Sequence, residues 1–285
     1  MRFAITATDR YQGVVEAFIQ AGWQPLKLFT TPVDQRLHHN KGVIELAARH
    51  ALPVQISRIQ PADLDELASM GCEALIVASY AWKIPPWEGK LPYAINFHPA
   101  PLPFGRGPYP AVRAILECWP SWAVSCHKLT PEFDAGDVLA QDHFALDHEE
   151  CHERIDLKIQ LSAKRLATQV AAHFPALWQQ AVPQGVGTYW PMFTEADRTL
   201  DFTQPVEALL RRVRAFGNHE CIANLAQTQV FVRRAVGWRE THGFAPGTAI
   251  HQCALEIVIA VQDGFIGLVE WSLVGPDAVM GRIGR

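Results

Sequence analysis

Ala74-Leu75-Ile76-Val77-Ala78 is an unbroken apolar run of strand length. A strand with one wet face alternates polar and apolar residues. A strand without a polar position is covered on both faces, as in a parallel sheet sandwiched by helices. Upstream, residues 2–6 read as a first apolar strand, 13–21 as a helix stopped by Gly22, 26–29 as a short strand, and 44–50 and 63–69 as helices. Downstream, 94–97 is a further strand and 111–118 a helix. Strands alternating with helices predict an α/β fold with a mainly parallel sheet. Residues 122–129 and 138–144 flank the turn Glu132-Phe133-Asp134-Ala135-Gly136, which predicts a hairpin, and 153–174 is a long amphipathic helix with Ile155, Ile159, Leu166 and Val170 on one face.

With 285 residues the chain exceeds one ordinary domain and is short for three. Its composition changes near 182–200, where Pro183, Gly185, Gly187 and Pro191 mark a linker. Beyond it a helix over 206–216 precedes short strands at 230–235, 256–261 and 267–271, the pattern of a small barrel or partly open sheet. The expected division is a first domain over 1–182, a linker over 183–202 and a β-rich domain over 203–285.

Charge and cysteines narrow the function classes. The formal net charge is −4, so nothing draws the whole molecule toward nucleic acid. No apolar run is long enough to span a bilayer, and the opening Met1-Arg2-Phe3-Ala4-Ile5-Thr6 turns polar too soon for a signal peptide. Cys72, Cys118, Cys126, Cys151, Cys221 and Cys253 include no Cys-x-x-Cys pair, which favours reduced thiols in a cytoplasmic protein over disulfides or a metal site.

The chemistry is concentrated at Asn96-Phe97-His98 and Asp134-Ala135-Gly136. Asn96 and His98 are two apart in an extended segment and so share a face. They leave the end of a strand, where ligands of open α/β sheets bind. Asn-x-His alone is usually a solvated loop or a satisfied core histidine, and Asp-x-Gly alone is usually a turn. Together they supply an amide donor, an imidazole that titrates near neutrality and a carboxylate to orient it. That set can hold and reprotonate a tetrahedral carbon.

The stretch Asn96-Phe97-His98-Pro99-Ala100-Pro101-Leu102-Pro103-Phe104-Gly105-Arg106-Gly107, followed by Val124-Ser125-Cys126-His127-Lys128-Leu129, resembles the active-site signature of the folate-dependent formyltransferases. That family includes methionyl-tRNA and sugar-nucleotide formyltransferases. The likeness extends through 188–202 and to Ala245-Pro246-Gly247-Thr248 and 263–268. It implies a Rossmann-like formyltransferase domain followed by a small OB-like domain, with 10-formyltetrahydrofolate as formyl donor and no metal. It further implies that Asn96 polarises the formyl oxygen, that His98 transfers protons and that Asp134 supports both. Ser79, Tyr80, Ala81, Trp82, Ile84, Pro103, Gly105, Arg106, Gly107 and Phe133 would meet the folate. The chain departs from the family at Ala100-Pro101, where Ser-Leu is common, at Ala123, and in lacking a glycine after the first strand.

The expected function is transfer of a formyl group to a primary amine. The loop 31–41 lacks the basic insertion of the methionyl-tRNA enzymes, which leans the acceptor toward a small molecule such as an amino sugar nucleotide or a biosynthetic intermediate. Initiator methionyl-tRNA is the alternative acceptor, and hydrolysis of 10-formyltetrahydrofolate the alternative reaction. Cys126-His127 reads as one buried thiol and one polar contact, because neighbours on a strand face opposite ways. His38-His39, beside Arg36, reads as a solvated loop. Arg211, Arg212 and Arg214 read as a solvated helix face, with contact to an anionic acceptor as the alternative.

Overall fold

The computed structural model describes residues 1–33, 38–226 and 228–275. Arg36 lies outside the described residues. The chain forms two compact units. One comprises residues 1–110, 121–145 and 157–190; the other comprises 111–120, 146–156 and 191–285.

The first unit is built on β1 (Arg2–Thr6), β2 (Gln24–Phe29), β3 (Val54–Gln55), β4 (Ala74–Val77), β5 (Tyr93–His98), β6 (Ser121–Lys128) and β7 (Val138–Ala145). They form one sheet in the order β3-β2-β1-β4-β5-β6-β7. Strands β3 to β5 pair in parallel, and β6 and β7 add antiparallel. The hairpin expected around residue 134 is the β6–β7 pair. Helices α1 (Gln12–Gln20), α2 (Lys41–Arg49), α3 (Pro61–Ser69) and most of α5 (His152–Gln179) belong to this unit, whereas α4 (Pro110–Leu116) falls in the other from residue 111 onward. The start of α3 follows from its sequence: Pro61 needs no amide partner at the first helical position, and Asp63 Oδ2 accepts from the Gln60 amide at 2.7 Å.

Both faces of the sheet are covered, which is why β4 carries no polar residue and is buried throughout. On one side Phe3, Phe18, Trp23, Phe97 and Phe174 form a chain of tilted and edge-on rings with centroids 4.8–6.2 Å apart. On the other, Leu64 and Leu67 of α3 pack with Leu75, Val77 and Ala94. Burial of each such side chain contributes on the order of 2–3 kcal/mol. The alternation of β5 sends Phe97 into the aromatic side and leaves Asn96 and His98 on the opposite side. Val77 of β4 pairs with Asn96, so His98 extends past the carboxyl end of its parallel neighbour.

The second unit holds the short α6 (Glu195–Arg198), then α7 (Val206–Phe216) and an antiparallel sheet. Its strands are β8 (Cys221–Leu225), β9 (Thr228–Arg239), β10 (Ala249–Gln252), β11 (Ile257–Val261) and β12 (Gly264–Ser272), in the order β10-β11-β12-β9-β8. This is the small β-rich domain expected of the family. Helix α7 packs on β9, where Gly237 leaves room for Val206. The three arginines of α7 depart from a solvated face. They are half-buried, Arg212 donates to the Asp197 carbonyl, and Arg214 meets Glu207 at 3.1 Å. An Arg212 turned into water would lose its bond to the Asp197 carbonyl.

Candidate active site

Asp134 sits in the connection between β6 and β7, in the left-handed region at φ +55°. A non-glycine residue there carries local strain, so the turn must be held by its surroundings. Two glycines make the close approach possible. A Cβ on Gly136 would lie 1.9 Å from the Lys128 carbonyl oxygen, and one on Gly107, at φ +102°, would lie 2.3 Å from the Trp190 carbonyl oxygen.

The turn and the strand end converge on one carboxylate. Asp134 Oδ1 lies 3.3 Å from His98 Nδ1 and 3.3 Å from Asn96 Nδ2, while Oδ2 accepts from the Gly107 amide at 2.9 Å. His98 Nε2 is 2.8 Å from the Gly105 carbonyl oxygen. His127 completes the group: its Nε2 is 3.1 Å from Asn96 Nδ2 and 3.7 Å from Asp134 Oδ1. His127 Nδ1 lies 2.8 Å from the Lys128 carbonyl, an acceptor only, so Nδ1 carries the proton and Nε2 accepts from Asn96. Both protons of the Asn96 amide therefore point at protein acceptors.

Burial penalises the Asp134 carboxylate, yet the charge of His98 and the hydrogen bond from the Gly107 amide outweigh it and hold the group down to about 2. Burial dominates at His98 and pulls it below the usual imidazole value. Asp134 and the Gly105 carbonyl oppose that pull, and His127 adds to it. His98 is thus a neutral ring at neutral pH with acceptors at both nitrogens. A neutral imidazole has one N–H, so one acceptor stays unmatched until the ring takes up a second proton. The arrangement suits a base whose cation is received by a carboxylate already ionised.

In sequence His127 reads only as a polar contact. Across the antiparallel β5–β6 pair it stands opposite Asn96, and His98 stands opposite Ser125. That register places His127 beside the other three, with Cys126 buried on the reverse face. β6 also carries Ser121, Ser125 and Lys128, so His127 is not marked out within its strand, and the pairing that gives it meaning spans 31 residues.

The loop 99–107 is braced from beneath. Ser125 Oγ donates to the Ala100 carbonyl at 2.6 Å and accepts from the Leu102 amide at 3.1 Å, and Gln141 Nε2 reaches the Leu102 carbonyl at 2.7 Å. Pro103 accepts from the Thr188 amide at 3.2 Å, and Gly105 donates to Thr188 Oγ1 at 2.9 Å. Arg106 is engaged by Gln184 Oε1 at 2.9 and 3.0 Å, and Phe133 projects into solvent beside Asp134.

Ser79, Tyr80, Ala81, Trp82 and Ile84 follow β4, which pairs with β5 at Asn96. Ser79 adopts φ +68° and its Oγ accepts from Thr8 Oγ1 at 3.1 Å. The Tyr80 hydroxyl accepts from the Ile59 amide at 2.7 Å, and its ring meets Trp82 edge-on at 5.4 Å. Arg58 lies over Trp82 at 5.7 Å, and Ile84 packs on the apolar cluster of α3, while Ala81 is exposed. His38, expected in a solvated loop, is half-buried with Nε2 3.3 Å from the Tyr109 hydroxyl. Among the described residues no group of three His, Cys, Asp or Glu side chains could hold a metal ion, and no helix is long and apolar enough to cross a membrane.

The chain is similar to known proteins over nearly its whole length. The chain is 25% identical over 260 residues to the methionyl-tRNA formyltransferase of Pseudothermotoga lettingae, covering 88% of this chain and 84% of that one. Its fold matches HypX from Aquifex aeolicus, solved in complex with tetrahydrofolic acid, at a TM-score of 0.67 and 19% identity. That match covers 99% of this chain, which spans under half of HypX, 47% of its length. It also matches an N-formyltransferase from Helicobacter canadensis in complex with folinic acid and dTDP-3-aminofucose, at a TM-score of 0.65 and 12% identity over 95% of this chain and 99% of that one. Residues 29–171 fit the family described as formyl transferase, and residues 192–281 fit its C-terminal domain. The chain belongs to the formyl transferase family.

Proposed function

We propose that this formyltransferase moves a formyl group from 10-formyltetrahydrofolate to the primary amine of a small molecule, such as an amino sugar nucleotide or a biosynthetic intermediate. The observation that carries the reading is the convergence of Asn96, His98 and His127 on the Asp134 carboxylate. Attack of an amine on a formyl carbon creates an oxyanion and frees a proton. The site must donate to the first and move the second. The His98–Asp134 pair takes up the proton, because protonation gives the ring the two N–H groups its acceptors require. It returns that proton to the departing nitrogen. Asn96 reaches the oxyanion by exchanging its longer bond, the 3.3 Å contact to Asp134, for one to the formyl oxygen.

A reduced folate has a planar pyrimidine ring with a polar edge, fused to a saturated ring and linked to an aminobenzoyl ring. The Tyr80–Trp82 rings with Ile84 offer an apolar wall, and the exposed Phe133 ring flanks Asp134. Ser79, Tyr80, Ala81, Trp82, Ile84, Pro103, Gly105, Arg106, Gly107 and Phe133 are the residues assigned to hold the donor. The dTDP-aminosugar in the Helicobacter canadensis neighbour and the weakly charged 31–41 loop support a small acceptor. The methionyl-tRNA formyltransferases among its relatives favour a second reading, in which the acceptor is initiator methionyl-tRNA.

The test is an assay with 10-formyltetrahydrofolate against aminosugar nucleotides, charged initiator tRNA and no acceptor, read by product mass. A formylated small amine supports the proposal, formylated tRNA selects the second reading, and formate released without any amine identifies a hydrolase and refutes both.

A further inference from the structure

We propose that Gln184 is a positioning residue of this site, clamping the Asp134 turn to the Gly105-Arg106-Gly107 loop. The inference rests on the reading of His98 and Asp134 as reacting groups. Gln184 Nε2 donates to the Asp134 carbonyl at 2.8 Å and to the Gly136 carbonyl at 2.7 Å. Its Oε1 accepts from Arg106 Nε at 3.0 Å and Nη2 at 2.9 Å. Two amide protons and two carbonyl lone pairs are the whole capacity of a glutamine side chain, and all four are used.

What the clamp joins gives it consequence. One side is the turn that holds Asp134 at φ +55°, whose two carbonyls otherwise need other donors. The other side is the loop whose Gly107 amide donates to Asp134 Oδ2 and whose Gly105 carbonyl meets His98 Nε2. The loop is tied to the Gln184 segment again through backbone bonds, Arg106 amide to Thr188 carbonyl at 3.0 Å and Trp190 amide to Arg106 carbonyl at 2.8 Å. Gln184 therefore bridges the carboxylate and the carbonyl that face the two nitrogens of His98. A stretch with the composition of a linker supplies a part of the site.

The groups facing His98 are the Asp134 carboxylate and the Gly105 carbonyl, with the His127 ring 6.5 Å away. Loss of the clamp loosens the first two and leaves burial unopposed. The experiment follows the ring nitrogens of His98 by ¹⁵N NMR across a pH titration of the ligand-free full chain, in wild type and Gln184→Met, which keeps the length and removes every hydrogen bond. The expected result is a His98 midpoint lower by about half a unit or more, together with kcat reduced about tenfold in whichever formyl-transfer assay the wild type supports. If Gln184→Met does not fold, Gln184→Asn, one methylene too short to reach both loops, carries the same expectation. A variant that melts earlier with an unmoved His98 midpoint reduces Gln184 to a structural residue and overturns the inference. Because the titration needs no substrate, it decides the clamp even if the wild type transfers formyl to no amine, a result that would overturn the proposed function alone.

Discussion

The imidazole of His98 and the carboxylate of Asp134 approach to 3.3 Å, one at the end of a strand and the other in a left-handed turn of the following hairpin. The carboxylate is held ionised, and the ring is held neutral by burial and faces acceptors on both sides.

Replacing His98 by alanine removes the group proposed as the base. The expected loss in kcat is about 10²–10⁴-fold, the usual size of a positioned acid–base contribution. Steady-state kinetics with a saturating formyl donor measures it, and turnover near wild type would take His98 out of the mechanism. In wild type, kcat/KM is expected to fall on the acid side with a midpoint below the ordinary imidazole value of 6.5, because only the neutral ring accepts a proton.

His127 acts through Asn96. Asn96→Ala is expected to cost on the order of 10² in kcat, as for an oxyanion donor. His127→Ala is expected to cost about tenfold, the worth of one orienting hydrogen bond. The double variant should be no slower than Asn96→Ala alone, since the two act as one unit. Multiplied losses would show that His127 works independently.

The Asp134 carboxyl titrates at about 2 in the folded chain against a reference of 3.8. A depressed acid stabilises the fold fully above the reference value, and this contribution is lost as pH falls from 3.8 toward 2. The shift corresponds to about 2 kcal/mol. Denaturant unfolding of wild type and Asp134→Asn at stepped pH should show this loss in wild type and not in the variant. Parallel curves would contradict it.

Gly136→Ala forces a methyl group against the Lys128 carbonyl oxygen, 1.9 Å from the ideal Cβ position. A cost of about 1–3 kcal/mol is expected in chemical unfolding. Gly185→Ala, with open space around its ideal Cβ, serves as the comparison and should stay within about 0.5 kcal/mol of wild type.

The apolar run 74–78 and the helix–strand alternation around it made the parallel sheet legible, because burial on both faces leaves a local mark in the residue types. The β6–β7 hairpin was legible from its turn, and α7 from its apolar spacing. The two-residue β3 and the fully exposed β10 were not, since neither carries a hydrophobic pattern of its own and each exists by pairing with a neighbour. Asn96, His98 and Asp134 stood out as a set of reactive side chains. His127 and Gln184 did not: one is ordinary as a strand residue and the other as a linker residue.

The residues alone determined the patterned helices and buried strands and which chemical groups are on offer, because hydrophobic periodicity and side-chain chemistry are local properties. Only the tertiary structure decided that the His127 ring meets the Asn96 amide, that Gln184 spans two loops, and that His98 is buried enough to be neutral. Strand register, loop closure and desolvation arise from contacts among residues far apart in the chain, and no short window of sequence contains them.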